Sequence, residues 1–330
     1  MTRTHGWKTQ AGIIKEVTYG TAPVVASQIP FISEGITQAQ EIQFPPEEDA
    51  EGGYRHGKLT GLRYSGPVSF FPVYEVEGYG DTRLIEQVAL GAESNPSVIN
   101  NNYYPSTVQP GSVCLCFDKE GVIHQHTGGK VLSMTIASSL GEPWKIDADM
   151  VFQDRTTESL INTTSSGWSL LEGTLILFDE TKLYINDYSA GAPVAGDEVI
   201  MTDFSVSIAN DYIVNQQEAS GYNIGRPKRI RRTATAAVGL IDKASFQDDI
   251  DNKTVKKGYL QATLIGGPSG YNYYKRIWLP SFRITNLPGS VDGPGIVLPK
   301  LEFQMLRASS PTGFPAGFDT EIIYQSLEVH

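Results

Sequence analysis

The chain has 330 residues, enough for two domains or one large β domain, and 33 glycines and 19 prolines punctuate it. Its net charge of −11 argues against a protein that holds nucleic acid by neutralising phosphates. Two cysteines exclude a disulfide framework, and no apolar run approaches the roughly 18 residues of a membrane span. The first residues lack the apolar core of a signal peptide, so we expect a soluble protein made in a cytoplasm.

Alternation of apolar and polar residues predicts half-buried strands along most of the chain. In GLRYSGPVSF (61–70), most even-numbered residues are apolar and most odd-numbered residues are polar. The same alternation marks residues 131–138, 144–152, 203–210 and 298–306. Gly, Pro, Asn and Asp separate these segments, as is typical of strands joined by turns. The pattern therefore predicts an all-β chain.

One helix interrupts the predicted strands. Residues 80–91 offer Asp81 as an N-cap, apolar residues at helical spacing and Gly91 as a stop. A second, weaker helical pattern lies in residues 244–258.

Several segments of the sequence occur twice in the same order. The pairs are 29–40 with 199–210, 54–70 with 225–241, and 130–153 with 276–304. In the last pair, both members read as a strand, a Gly/Pro loop and a strand that ends in Phe-Gln. The period of roughly 150 to 170 residues has the size of a domain. We therefore predict a duplication, with domains 1–158 and 159–330 and a joint in the Ser/Thr-rich segment 155–169.

The segment CLCFDKEGVIHQH offers a possible metal site. Cys114 and Cys116 share one face of a strand, and His124 and His126 share one face of the next. A three-residue loop at 119–121 would set the cysteines opposite the histidines, as a tetrahedral zinc site requires. A two-residue turn would break that pairing and leave an ordinary hairpin with buried cysteines. We favour the ordinary hairpin and predict no metal and no cofactor.

Two oppositely charged segments are candidates for contacts between copies of the chain. The acidic loop carries Glu47, Glu48, Asp49 and Glu51, and the basic segment carries Arg226, Lys228, Arg229, Arg231 and Arg232. Complementary charges would suit docking of one copy on another. The alternatives are solvated loops or, for the basic segment, a nucleic-acid site. The acidic net charge and the absence of stacking aromatic residues in that segment argue against nucleic acid.

The sequence carries none of the common catalytic motifs. A Walker loop, a dinucleotide fingerprint, an HExxH helix and a G-x-S-x-G elbow are all absent from the sequence. The acidic loop lacks the aromatic setting that shifts the pKa of a catalytic carboxylate. We therefore predict that the protein is not an enzyme.

The order of several motifs resembles the major tail tube proteins of long-tailed bacteriophages. YGTAP (19–23), GLRYSGPVSF (61–70) and LIEQVALG (84–91) are similar to that family's Y/F-G-T-x-P segment, its G-x-R-x-S-G strand and its helix ending in A-L-G. The later FSVSIAND and GRPKRIRR are similar to a second-half strand and basic segment of the family. The acidic, proline-containing insert before Tyr54 departs from the pattern.

The resemblance implies two tandem tail-tube-like β-sandwich domains, each with a flanking helix or long loop. The inner sheets of neighbouring copies would join into a ring-shaped β-barrel, and stacked rings would form the tail tube that delivers genomic DNA into the host. Because each chain would supply two domains, three copies per ring are favoured over six. The implied partners are the tape measure, tail terminator and distal tail proteins, with no membrane. The implied location is the virion tail, assembled in the host cytoplasm.

In such a ring the polar side of the repeated strand would line the channel. The candidates are Arg63, Ser65, Ser69, Thr233 and Thr235. Small hydroxyl groups would make a smooth wall, and net negative charge would let DNA pass without specific binding. Two alternatives remain. One is a tube protein of a contractile secretion machine, which is usually single-domain. The other is a monomeric carbohydrate-binding β-sandwich of a phage decoration or adhesin protein, with aromatic residues of 100–106 and 267–278 as its platform.

Overall fold

The computed structural model is mostly β, and its strands are antiparallel. It describes residues 10–24, 27–43, 58–74, 83–93, 101–105, 110–119, 121–158, 174–213, 228–240, 246–266, 272–286, 300–309 and 311–329. Most of these residues lie in strands of one large sheet system, which confirms the all-β prediction. Within these ranges, no helix has the length and apolar character to cross a membrane.

The strands and helices follow the alternation of the sequence. Before residue 159 they are β1 (Gln10–Lys15), β2 (Ser27–Ile29), β3 (Phe31–Glu34), β4 (Thr37–Gln43), β5 (Lys58–Phe70), β6 (Val73–Tyr74), α1 (Arg83–Leu90), β7 (Gly91–Glu93), β8 (Asn101–Pro105), β9 (Val113–Lys119), β10 (Val122–Ser139), β11 (Lys145–Phe152) and β12 (Asp154–Glu158). After it they are β13 (Thr174–Leu175), β14 (Thr181–Asp187), β15 (Glu198–Val199), β16 (Met201–Ile213), β17 (Lys228–Leu240), α2 (Gln247–Asp251), β18 (Lys256–Leu264), β19 (Asn272–Asn286), β20 (Lys300–Met305), β21 (Ala308–Ser309), β22 (Asp319–Thr320) and β23 (Ile323–Val329). The predicted strands 61–70, 131–138, 144–152 and 203–210 are confirmed, and that of 298–306 is confirmed over the described residues 300–305.

One continuous sheet runs through both halves of the chain, and we call it the principal sheet. Its strands pair in the order β3 and β4, β5, β11, β10, β16, β17, β20 and β19. In β16, Val206 and Ile208 are fully buried, whereas Ser205 and Ser207 are half-buried. The alternation seen in the sequence thus gives this sheet one apolar and one polar face.

The long strands β10 and β19 each leave the principal sheet and continue in a second layer. The first part of β10 pairs with β9 and β12, and the first part of β19 pairs with β18 and β23. Further strands extend these pairs, with β1 beside β9 and β14 beside β18. One cluster of buried side chains from both halves fills the space between the layers. Phe117 of β9, for example, lies 5.4 Å from Phe31 of β3 between ring centroids.

Helices α1 and α2 pack against the long strands. Helix α1 contacts β10 and buries Ile85, Val88 and Leu90 almost completely, each contributing about 1.5–3 kcal/mol by removal from water. Gly91 follows with φ of 114°, a conformation that glycine adopts without the strain of a side chain, and ends the helix. Helix α2 contacts β19 in the second half. Both predicted helices are confirmed, the second as little more than one turn.

The pairing of β16 with β17 repeats that of β3 and β4 with β5. Phe31 pairs with Phe70. Met201 pairs with Leu240, and both residue numbers are higher by 170 (201 − 31 and 240 − 70). The same offset relates these further partners: Ser33 with Ser69 and Asp203 with Gly239; Glu41 with Gly61 and Asp211 with Arg231; Ile42 with Leu59 and Tyr212 with Arg229. Each half therefore has its two register shifts at the same positions.

The pairing of β20 with β19 likewise repeats that of β11 with β10. Val131 pairs with Met150. Ile284 pairs with Phe303, and both numbers are higher by 153 (284 − 131 and 303 − 150). A register shift follows directly in both halves. Phe303 therefore matches Met150 rather than Phe152, so the two Phe-Gln endings noted in the sequence are two residues out of step.

Candidate assembly surfaces

A row of polar side chains crosses the face of the principal sheet that points away from the buried cluster, which we call the polar face. One residue comes from each strand: Ser33, Ser69, Asp147, Thr135, Ser207, Thr235, Gln304 and Arg283. The Ser69 hydroxyl donates to Asp147. The hydroxyl oxygens of Thr135 and Ser207 are 2.9 Å apart. Hydrogen bonds thus link neighbouring strands along this row.

The five residues predicted to line a channel all lie on the polar face. Ser69 and Thr235 belong to the row just described, and the others occupy odd-numbered positions of the same two strands. Thr235 is exposed, Ser69 is buried, and Arg63, Ser65 and Thr233 are half-buried.

The described polar face carries both signs of charge. Its acidic residues are Asp147, Asp149, Asp203, Asp211 and Glu302, and its basic residues are Arg63, Lys145, Arg231, Arg283 and Lys300. Ion pairs lie within it, since Lys145 Nζ is 2.9 Å from Asp147 and Lys300 Nζ is 4.0 Å from Asp203. The net charge of −11 is therefore not concentrated on these residues.

Two edges of the principal sheet are open, and we call them the free edges. In the described part of the chain, β3 and β4 pair only with β5, and residues 283–286 of β19 pair only with β20. Thr37, Gln38, Ala39 and Gln40 are exposed along the first edge. Unpaired backbone groups make such edges ready templates for pairing with another strand.

Between the free edges, the two halves meet where β10 pairs with β16, which we call the internal joint. Ser133 pairs with Ala209, and the ladder runs on to Ser139 and Asp203. The buried amide of Asn210 donates to two carbonyl oxygens of the first half, at 3.0 Å from Ala89 and 3.1 Å from Val131. These bonds satisfy a carbonyl at the end of α1 and one beside the register shift of β10.

Charged side chains tie the second half to α1. Arg229 donates from Nη1 to the carbonyl oxygen of Leu90 at 3.0 Å, where a cation favours the helix dipole. Burial lowers the pKa of Arg229 from its ordinary value. Lys275 Nζ lies 2.7 Å from Glu86 Oε2 in an ion pair whose side chains are only 2% and 0% exposed. Lys275 also donates to the Ser326 hydroxyl at 3.3 Å.

The residues of the basic segment have different environments in the structure. Arg229 binds the end of α1, and Arg232 lies 2.7 Å from Glu321 of the same chain. Lys228 and Arg231 are exposed. Arg226 lies outside the described residues, as do Glu47, Glu48, Asp49 and Glu51 of the acidic loop.

The alternative alignment, in which the cysteines would lie opposite the histidines, is not formed. Lys119 pairs with Val122, so the hairpin closes with a two-residue turn rather than three. Cys116 therefore pairs with Gln125, and His126 pairs with Leu115, which puts the histidines on the opposite face from the cysteines. In the described ranges, no group of three or more His, Cys, Asp or Glu could hold a metal ion.

In that hairpin, Cys114, Cys116 and His126 are buried, whereas His124 is half-buried. Cys114 and Cys116 are free thiols packed among apolar side chains. His126 lies among the rings of Tyr64, Phe117 and Phe152, at 5.2–6.3 Å between centroids. Burial, with smaller contributions from Arg155, His124 and Lys119, lowers the pKa of His126 to about 3. This histidine is therefore a neutral core residue at physiological pH.

The aromatic segments considered as a sugar platform are mostly packed. Tyr103, Tyr273 and Trp278 are buried. Tyr104 packs on Phe318 with 4.5 Å between ring centroids. Among the rings of these segments that the structure describes, Tyr104 and Tyr274 are half-buried, and Tyr271 lies outside the described residues.

Comparison with known proteins adds no assignment, since no family model matches the chain and no curated protein matches it. Sequence reasoning also missed the residues of the internal joint. A signal for one existed, because Asn210 is polar at a position where Phe204, Val206 and Ile208 set an apolar alternation. The buried pair of Glu86 and Lys275 has no such signal.

Proposed function

We propose that this chain is a structural virion protein that polymerises into stacked rings to form the tail tube of a long-tailed bacteriophage. The observation that carries the proposal is the pair of free edges at the two ends of the principal sheet. Between them lies a joint of the same kind, already formed within the chain. The resemblance of the sequence motifs to major tail tube proteins supplies the biological setting.

The matching pairings support an internal duplication with domains 1–158 and 159–330. Register shifts are specific features of strand pairs, and unrelated sheets would not place them at equivalent positions. Here they recur in β16–β17 with an offset of 170 residues (201 − 31) and in β19–β20 with an offset of 153 residues (284 − 131). Each half thus supplies a comparable set of strands to the principal sheet, as two tandem β-sandwich domains would.

Joining copies edge to edge would close a ring. Every free edge would then be paired, which removes the risk of unspecific edge association. Two sectors per chain favour three copies over six in a ring whose inner sheets form a β-barrel. The polar face would line the channel, because the opposite face holds the buried cluster.

The chemistry of the polar face suits a conduit. Among the described residues of this face, small hydroxyl groups, mixed charges and the ion pairs of Lys145 and Lys300 leave no concentrated basic patch to retain phosphates. DNA would pass without specific binding. By the resemblance, the partners are tape measure, tail terminator and distal tail proteins, and tubes assemble in the host cytoplasm before joining the virion. No cofactor and no enzymatic reaction are part of this proposal.

Ring stacking would use the charged segments. Lys228 and Arg231 are exposed at the start of β17 and remain the best candidates to meet the acidic loop of another ring. Arg229 and Arg232 instead hold the chain's own second half in place. The proposed stacking contact thus involves fewer residues than the whole basic segment.

Electron microscopy of the concentrated, purified protein tests the function. Hollow rings or tubes with three chains per layer would support the tube and the duplicated sector. Six chains per layer would keep the tube and remove the role of duplication in ring symmetry. Monomers that bind a carbohydrate would overturn the proposal in favour of a sugar-binding module.

A further inference from the structure

We propose that the joint between neighbouring copies in the ring has the register of the internal joint, with Gln40 in the place of Asn210. This inference rests on the proposed function and adds the residues that form the contact. The occupant of each free edge would be the opposite free edge of a second copy of this chain. The internal joint serves as the template.

The register follows from the offsets between the two halves. Ser133 pairs with Ala209 in the internal joint. The strand pairings relate Ser133 to Asn286, because these residues pair with Asp149 and Glu302 after the same register shift. The offset of 170 relates Ala209 to residue 39 (209 − 39), which is also an alanine. Asn286 of one copy would therefore lie opposite Ala39 of the next.

Two side chains along the first free edge have the same chemical type as the side chains that form contacts across the internal joint. Asn210 bonds across it to the carbonyl of Val131, and the equivalent residue of β4 is Gln40, also a carboxamide. Ser207 bonds across it to Thr135, and the equivalent residue is Thr37, also a hydroxyl.

On the open side of β4, the described chain offers no strand for these side chains to contact, and the Thr37 hydroxyl instead donates to the carbonyl oxygen of Ser65 in β5 at 3.3 Å. Gln40 and Thr37 are exposed, whereas Asn210 is only 4% exposed. By the template, the Gln40 amide would donate to the carbonyl of Ile284 in the neighbouring copy, the counterpart of Val131. An exposed carboxamide at this position costs little in the free chain and gains a buried hydrogen bond on assembly.

A cysteine pair tests the register directly. We would combine Asn286→Cys with Ala39→Cys, because directly opposed residues of antiparallel strands have the spacing that a disulfide needs. The native Cys114 and Cys116 are fully buried and leave the readout clear. A positive control is Ser133→Cys with Ala209→Cys, which should link within one chain. A register control combines Asn286→Cys with Gln38→Cys, which points the second thiol to the other face.

The expected result is a disulfide-linked dimer and trimer ladder from the Asn286/Ala39 variant, lost on reduction and weak in the register control. Rings or tubes that microscopy shows but that do not link would overturn the register and leave the proposed function standing. Equal linking in the register control would overturn it as well. A variant that neither links nor assembles, while the unmodified chain also fails to assemble, would overturn both.

Substitutions of Gln40 measure how much this side chain contributes to assembly. Gln40→Ala should raise the protein concentration needed for assembly about tenfold, the change that corresponds to about 1.4 kcal/mol. Gln40→Asn retains the amide and should recover most of the assembly. Because Gln40 is exposed, neither variant should change the unfolding midpoint of the unassembled chain. Unchanged assembly by Gln40→Ala would remove the assigned role.

Discussion

Strand β16 and the strands β3 and β4 occupy the same place in the two halves, but in the described chain only β16 has a strand on each side. The core-side residues of β16 include Phe204 and Ile208, both buried. Their counterparts at the free edge are Glu34, which pairs with Lys119, and Gln38, which is exposed. A strand covered from the time of folding can be apolar, whereas one that waits for a partner must tolerate water.

In the second layer, the hairpins β9–β10 and β18–β19 also share a register but differ in their side chains. Leu115 pairs with His126, Gly258 pairs with Leu279, and the same register shift follows in both halves. The side chains, however, fill the space differently. Trp278 packs on Phe314 with 4.7 Å between ring centroids, whereas its counterpart in the first half is Gln125. Backbone pairing constrains the register, and each half then packs its own side chains around it.

The largest effect is expected at the buried ion pair that ties the halves together. Lys275→Ala should lower the free energy of unfolding by about 3–5 kcal/mol, because Glu86 would keep a buried charge without its partner. Denaturant unfolding measures the change. Lys300→Ala, which removes an exposed lysine 4.0 Å from Asp203, is the matched control and should cost under about 1 kcal/mol.

A double variant separates charge from packing at that site. Lys275→Met with Glu86→Leu replaces the pair by apolar side chains and should recover most of the lost stability, since buried ion pairs are often exchangeable in this way. A single Lys275→Ala variant as stable as the unmodified chain would show that the halves do not depend on this contact.

The next effect concerns the internal joint. Asn210→Ala should lower the free energy of unfolding by about 2 kcal/mol, because the carbonyls of Ala89 and Val131 lose a buried donor. Gln40→Ala, at the equivalent position of the free edge, should leave the unassembled chain within about 0.5 kcal/mol. Equal losses in the two variants would contradict the distinction between joint and edge.

The sequence predicts which side chains share a face of a strand, but it does not predict which strands pair with each other. Alternation placed Ser65 and Thr235 on one side of their strands, and the structure shows both on the polar face. The pairing of β10 with β16 joins residues about 70 positions apart, which no local pattern encodes. The length of the turn after β9 was likewise left open by the sequence, and the two-residue turn moves the histidines to the opposite face from the cysteines.

The third effect depends on pH and contrasts His126 with Leu279, its counterpart in the second half. Burial lowers the pKa of His126 to about 3, so below pH 6.5 the unfolded chain binds a proton that the folded chain does not. Stability is therefore complete above pH 6.5 and falls as the pH drops toward 3, by about 1.4 kcal/mol per pH unit from this group.

His126→Leu should remove that part of the pH dependence, which amounts to about 2 kcal/mol between pH 7 and pH 5. Unfolding midpoints of both proteins at the two pH values measure it. His124→Gln is the control, since His124 is only half-buried and its removal should change the pH dependence less. An unchanged slope in His126→Leu would mean that other groups set the acid sensitivity of this core.

The smallest effect on the single chain is expected from reversing the exposed charges at the start of β17. Lys228→Glu with Arg231→Glu should leave the unfolding free energy within about 0.5 kcal/mol, because both side chains are exposed. If the proposed stacking contact is formed there, microscopy should show rings that no longer stack into tubes.

The same reversal at Lys182 and Arg307, also exposed, controls for total charge. Arg229 is left intact because its reversal would break the bond to Leu90 and confuse stacking with the internal joint. Normal tubes from the Lys228/Arg231 variant would rule out this stacking contact while leaving the ring joint untouched.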